Sequence, residues 1–75
     1  MSLKTDILKV MQTELANGNY SVQLKDMLIK INIVGLTESV LKVALQELVK
    51  RRGIIQIGSK EYSFPSEIVN FYKGE

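Results

Sequence analysis

In the stretch TESVLKVALQELVKRRGIIQIGSKEYSF, residues 37–64, the hydrophobic period changes at one glycine, and the architecture follows from that change. Up to Arg52 the apolar residues Leu41, Ala44, Leu45, Leu48 and Val49 recur at spacings of three and four, which is one face of an α-helix. Thr37 stands at the N-cap position, where a side-chain oxygen accepts an orphan N–H of the first turn. Glu38 meets the positive end of the helix dipole, and Lys50, Arg51 and Arg52 meet the negative end. Gly53 stops the helix. Beyond it, Ile54-Ile55-Gln56-Ile57 is β-branched, Gly58-Ser59-Lys60-Glu61 is turn-forming, and Tyr62-Ser63-Phe64 alternates, so this part reads as a β-hairpin.

Working outward, Leu3, Ile7, Leu8, Met11 and Leu15 share one helical face, with Lys4, Lys9, Gln12 and Glu14 elsewhere on that helix. Asn17-Gly18 ends it. Ser21 is the expected N-cap of a second helix, whose stripe is Leu24, Met27, Leu28 and Ile31. Residues 31–36 are apolar but lose the helical period, which predicts a buried connection. Gly18, Gly35 and Gly53 are each expected in the left-handed conformation that closes a helix or turn. A hairpin alone is marginal in water, so Tyr20-Ser21-Val22 is expected to add a further strand. After Pro65, Ser66 is expected to cap a last short helix through Ile68, Val69, Phe71 and Tyr72, with Phe71 and Tyr72 closing the base of the core. Three helices, a β-hairpin wing and a short C-terminal helix make an α+β chain of the small winged helix-turn-helix type, one domain over residues 1–75.

Composition narrows the chemistry. With 75 residues there is room for one core, and with Cys 0 and His 0 there is no zinc finger, disulfide framework or histidine-dependent nucleophile. No apolar run approaches the roughly 20 residues that span a bilayer. The carboxylates Asp6, Glu14, Asp26, Glu38, Glu47, Glu61, Glu67 and Glu75 form no pair on one helical face, and most sit beside lysines as solvated surface. Neither Gly53 nor Gly58 belongs to a phosphate-cradling motif. The expectation is a binding module, not an enzyme, with no cofactor and no metal.

Two kinds of partner remain. For DNA, the third helix is the reader and the hairpin the wing. Lys42, Gln46, Lys50, Arg51, Arg52 and Lys60 are then the contact residues, with Gln46 able to read adenine and the cations able to meet phosphate or guanine. Glu38 and Glu47 oppose that role, since they bring negative charge to the surface that faces phosphates. Val40 and Val43 are apolar where polar readers are expected. A net charge of +2 is too mild to imply nucleic acid by itself. For a protein partner, those same valines or Ile29 on the second helix supply an interaction face if they are contiguous, and the candidate contact residues are Lys42, Val43, Gln46, Lys50, Arg51, Arg52 and Lys60.

Several segments together resemble a known family. Lys25-Asp26-Met27-Leu28-Ile29-Lys30, Thr37-Glu38 through Leu41, Leu45-Gln46-Glu47-Leu48-Val49-Lys50 and Gly58-Ser59-Lys60-Glu61-Tyr62-Ser63-Phe64 are similar, in order and spacing, to the C-terminal winged-helix domain of cullins. The resemblance runs from about Ile7 to Pro65. It implies a terminal domain excised from a larger protein, acting as a non-catalytic interaction module of a multi-subunit cullin-RING-type ubiquitin ligase. The implied partners are the ubiquitin-conjugating enzyme and the RING subunit, inside the cell in nucleus or cytoplasm. One departure matters. In ordinary cullins the first helix carries a lysine that accepts a ubiquitin-like modifier. Here Ile7-Leu8-Lys9-Val10-Met11 matches the preceding stretch, but Gln12 follows, and an amide has no nucleophilic amine.

Overall fold

A computed structural model describes residues 2–74 of the chain. In chain order the elements are α1 (Leu3–Ala16), β1 (Ser21–Gln23), α2 (Leu24–Ile31), α3 (Glu38–Lys50), β2 (Ile55–Gly58), β3 (Glu61–Ser63) and α4 (Ser66–Lys73). Among the described residues this is a small α+β arrangement of four helices and one three-stranded antiparallel sheet. The sheet order is β1-β3-β2, so the strand from the α1–α2 connection pairs with the second hairpin strand. Ser21 faces Ser63, Val22 faces Tyr62 and Gln23 faces Glu61. The expected third strand therefore forms, one residue later than expected.

The core comes from the stripes read in the sequence. Ile7, Met11 and Leu15 of α1 meet Leu24 and Met27 of α2, Leu41, Ala44, Leu45 and Leu48 of α3, and Val22, Ile54, Tyr62 and Phe64 from the sheet side. Ile7, Met27, Leu41, Leu45, Ile54 and Tyr62 are completely buried. Leu3, Leu8, Leu28, Ile31 and Val49 pack partly buried at its edge.

Local expectations divide according to how local their causes are. Thr37 caps α3 as expected, its Oγ1 accepting from the Val40 N–H at 3.3 Å. Ser2 does the same for α1, accepting from Thr5 N–H at 3.2 Å. Ser21 does not cap α2. It lies inside β1, where its hydroxyl donates to Glu61 Oε2 at 2.7 Å, and the first N–H of α2, on Leu24, donates instead to the Lys60 carbonyl at 2.8 Å. The hairpin turn thus supplies the acceptor that the serine was expected to supply. At the last helix Pro65, not Ser66, occupies the N-cap position, with no side-chain bond.

Residues 31–36 are not the buried connection expected from their composition. Asn32 turns left-handed at φ 50° and directs the chain outward, leaving Val34 fully exposed; only Leu36 returns to the core edge. Gly18 and Gly35 have the expected positive φ. Gly53 does not, because Arg52 takes the left-handed position one residue earlier, at φ 62°. A residue with a Cβ is strained there, whereas glycine is not. Arg52→Gly is therefore expected to raise stability by about 0.5–1 kcal/mol, read as a higher midpoint in thermal or urea unfolding. Phe71 does not close the base of the core, being 79% exposed, and the partly buried Val69 takes that place. The Tyr72 side chain lies outside the described residues.

β2 is an edge strand carrying Ile55 and Ile57 on exposed positions, within an uncharged, proline-free stretch from Gly53 to Ser59. Such edges invite intermolecular pairing unless charge or a bulge blunts them. A register shift between Gln56 and Gly58 is the device present here. Ile57→Lys should change stability by less than about 0.5 kcal/mol while lengthening the lag of fibril formation followed by thioflavin fluorescence.

Candidate functional site: the outer face of the third helix

Side chains tie the hairpin to α3 at two places. Gln46, midway along the helix, donates its amide to Gln56 Oε1 at 3.0 Å and to the Tyr62 hydroxyl at 3.5 Å. The Gln56 amide in turn donates to the carbonyls of Gly58 and Ser59, at 2.9 and 3.2 Å. At the helix N-terminus Lys60 reaches Glu38 at 3.4 Å, so the turn of the hairpin is held there too. On the other flank the first turn of α1 runs beside α3, and Lys4 pairs with Glu47 at 3.0 Å.

These contacts reassign the charges of the face. The two carboxylates that opposed an anionic partner are each matched by a lysine from another element, Glu38 by Lys60 and Glu47 by Lys4. The Lys4 ammonium, through its hydrogen bond first and its charge second, holds the Glu47 carboxyl below the usual carboxylate range, with smaller contributions from Arg51 and Lys50. A lowered folded-state pKa means that this pair adds stability above the ordinary carboxylate range, and the increment disappears as pH falls through the folded value. Both side chains are solvent-accessible, so the increment is small. Lys4→Gln should lower the melting midpoint slightly at neutral pH, and the gap to the parent should close on acidification, as measured by melts in a pH series.

All the residues expected at a binding face are exposed: Lys42, Val43, Gln46, Lys50, Arg51, Arg52 and Lys60. The fold brings Lys42, Val43, Gln46 and Lys50 together with Ser39 and Glu47 along one open depression of about 500 Å³, in which Val43 is the apolar residue among polar and charged neighbours. Arg51 and Arg52 continue from its C-terminal end, beyond the helix. Lys60 lies apart, at the N-terminal end and engaged with Glu38. A second depression of about 410 Å³ adjoins the first and shares Val43 and Glu47 with it; Ser2, Leu3, Lys4, Val40 and Ala44 line the rest. Val40 and Val43, 52% and 63% exposed, are thus contiguous, while Ile29 on α2 lines neither depression.

Leu3 and Lys4 are not among the residues expected at the site; in the sequence they read only as part of α1. The signal was weak: the start of α1 carries an apolar and a basic residue, but nothing local says that α3 lies alongside. Glu14 reads in the sequence as one of the solvated carboxylates, whereas it is only 8% exposed. Glu14 follows Ile7 by seven residues and Met11 by three, which puts it on the inner stripe, and Lys30 of α2 pairs with it there. Among the described residues no cluster of three or more carboxylates could hold a metal ion, and no helix is long and apolar enough to cross a membrane.

No family model, no curated protein and no solved structure matches this chain.

Proposed function

We propose that the chain is a winged-helix module that works by protein contact. In this reading it is a non-catalytic part of a multi-subunit cullin-RING-type ubiquitin ligase of the anaphase-promoting-complex kind, in nucleus or cytoplasm. There it helps position the ubiquitin-conjugating enzyme beside the RING subunit. The element order α1-β1-α2-α3-β2-β3 supports the fold, and the cullin-like segments support the ligase. The observation that carries a protein partner is the contiguous Val40–Val43 surface on the third helix. Phosphates gain nothing from valine, and the Gln46 amide that could read a base is engaged by Gln56.

The experiment is a two-dimensional NMR titration of the labelled chain with a ubiquitin-conjugating enzyme. Shifts confined to a surface patch are expected; a spectrum that stays unmoved at high enzyme concentration overturns the reading. A DNA-binding winged-helix regulator is the second reading, favoured by the cations of Lys50, Arg51 and Arg52. It requires tight, strongly salt-dependent binding to duplex DNA, weakened by Arg51→Glu with Arg52→Glu. We expect little duplex affinity at physiological salt in a fluorescence titration.

A further inference from the structure

We propose that the joined depressions along α3 and the first turn of α1 are a docking groove for an acidic amphipathic helix of a partner protein. The proposal deepens the protein-contact reading above and rests on it. It names the surface and the chemistry of what binds there.

Two of the lysines near this face already have carboxylate partners. Lys4 and Lys60 each stand beside a carboxylate of α3, which offsets the repulsion that these acidic residues present to an anionic partner. Among the described residues no ion pair forms at Lys42, Lys50, Arg51 or Arg52. The face is therefore more basic than the sequence implies: its acidic charges are matched internally and its cations lie along one side. Lys42, Gln46 and Lys50 follow each other at intervals of four and so form a row along α3. Val43 lies beside that row, and Val40 with the edge of Leu3 continues the apolar strip toward α1.

A partner that satisfies both features needs an apolar stripe on the strip and carboxylates on the Lys42–Lys50 side. A helix supplies that pattern at i, i+3, i+4 and i+7 with acidic flanks. The stretch of α3 from Ser39 to Lys50 rises roughly 16 Å at about 1.5 Å per residue, the length of about three turns of a partner helix, with the valines at its N-terminal part. DNA meets the cations but leaves the valines against water or phosphate, and a purely apolar helix leaves the lysines unused.

The test uses the full chain, nitrogen-15 labelled, and two synthetic helical peptides with the same leucine stripe, one flanked by glutamates and one by lysines. The acidic peptide should shift the amides of Val40, Val43, Ala44 and Lys50, and the basic peptide should bind at least about tenfold more weakly. Lys42→Glu with Lys50→Glu should reverse that preference; both positions are exposed, and spectral dispersion verifies folding. Val43→Glu should abolish the shifts for the acidic peptide. Equal binding of the two peptides, shifts on another surface, or response to duplex DNA in place of peptide overturns the proposal. A ubiquitin-conjugating enzyme that binds elsewhere on the chain leaves the ligase reading standing and removes the groove. An enzyme that does not bind, beside an acidic peptide that does, removes the ligase reading and leaves the groove.

Discussion

Tyr62→Ala is expected to cost about 3–5 kcal/mol, the range for truncating a large aromatic in a tightly packed core. Tyr62 has no exposed surface, and it sits in the central strand between Val22 of β1 and Gln56 of β2. Removing the ring opens a cavity under both strand pairings at once. It also takes away the hydroxyl that accepts from Gln46, so the contact of α3 with the sheet loosens. A domain of this size holds only about 4–11 kcal/mol in total. At about 4–8 °C per kcal/mol, the thermal midpoint should fall by at least about 12 °C. Tyr62→Phe separates the two contributions. It keeps the ring and loses one long hydrogen bond, so it should cost no more than about 1 kcal/mol. Circular dichroism melts of the two variants check the pair; a Phe variant as damaged as the Ala variant would mean that the hydroxyl, not the packing, carries the site.

The second large effect is an asymmetry at the Glu14–Lys30 pair. The Glu14 side chain is buried between α1 and the β1 entry, where Asn19 donates its amide to Oε2 at 2.6 Å and Lys30 closes over Oε1. Lys30 itself is 47% exposed. Lys30→Ala leaves a buried carboxylate with one neutral partner, and an under-satisfied buried charge of this kind costs about 1–3 kcal/mol. Glu14→Leu removes the charge and fills the same space, while the freed lysine returns to water, so the change should lie within about 1 kcal/mol of the parent in either direction. Combining Glu14→Leu with Lys30→Ala should recover most of the loss seen in Lys30→Ala alone. Urea denaturation of the four proteins measures the cycle. Equal losses from the two single changes would mean that the pair is worth its Coulomb energy and nothing more.

How much of this was legible beforehand follows the range of each interaction. The spans of α1 and α3, the Thr37 cap and the hairpin around Gly58 were readable to within a residue or two, because each depends on neighbours three or four positions away. The third strand was readable because a hairpin needs a partner. Ser21 was misread as a cap because its actual partner, Glu61, is 40 residues distant. The connection after α2 was misread because apolar composition does not reveal that Asn32 turns the chain outward. At the candidate site, Lys42, Val43, Gln46 and Lys50 were found from the helical projection alone, and the structure does bring them to one surface.

The elements, their order and the polar face of α3 follow from local pattern, since period, capping and turn chemistry are properties of short windows. The electrostatic character of that face depends on long-range packing. Lys4 from the first turn of α1 and Lys60 from the hairpin turn pair with Glu47 and Glu38, and Gln56 of the hairpin engages the Gln46 amide. A charge on a sequence carries its sign but not its partner. The partner is chosen by packing, and packing turned a mixed-charge helix into a basic, partly apolar surface.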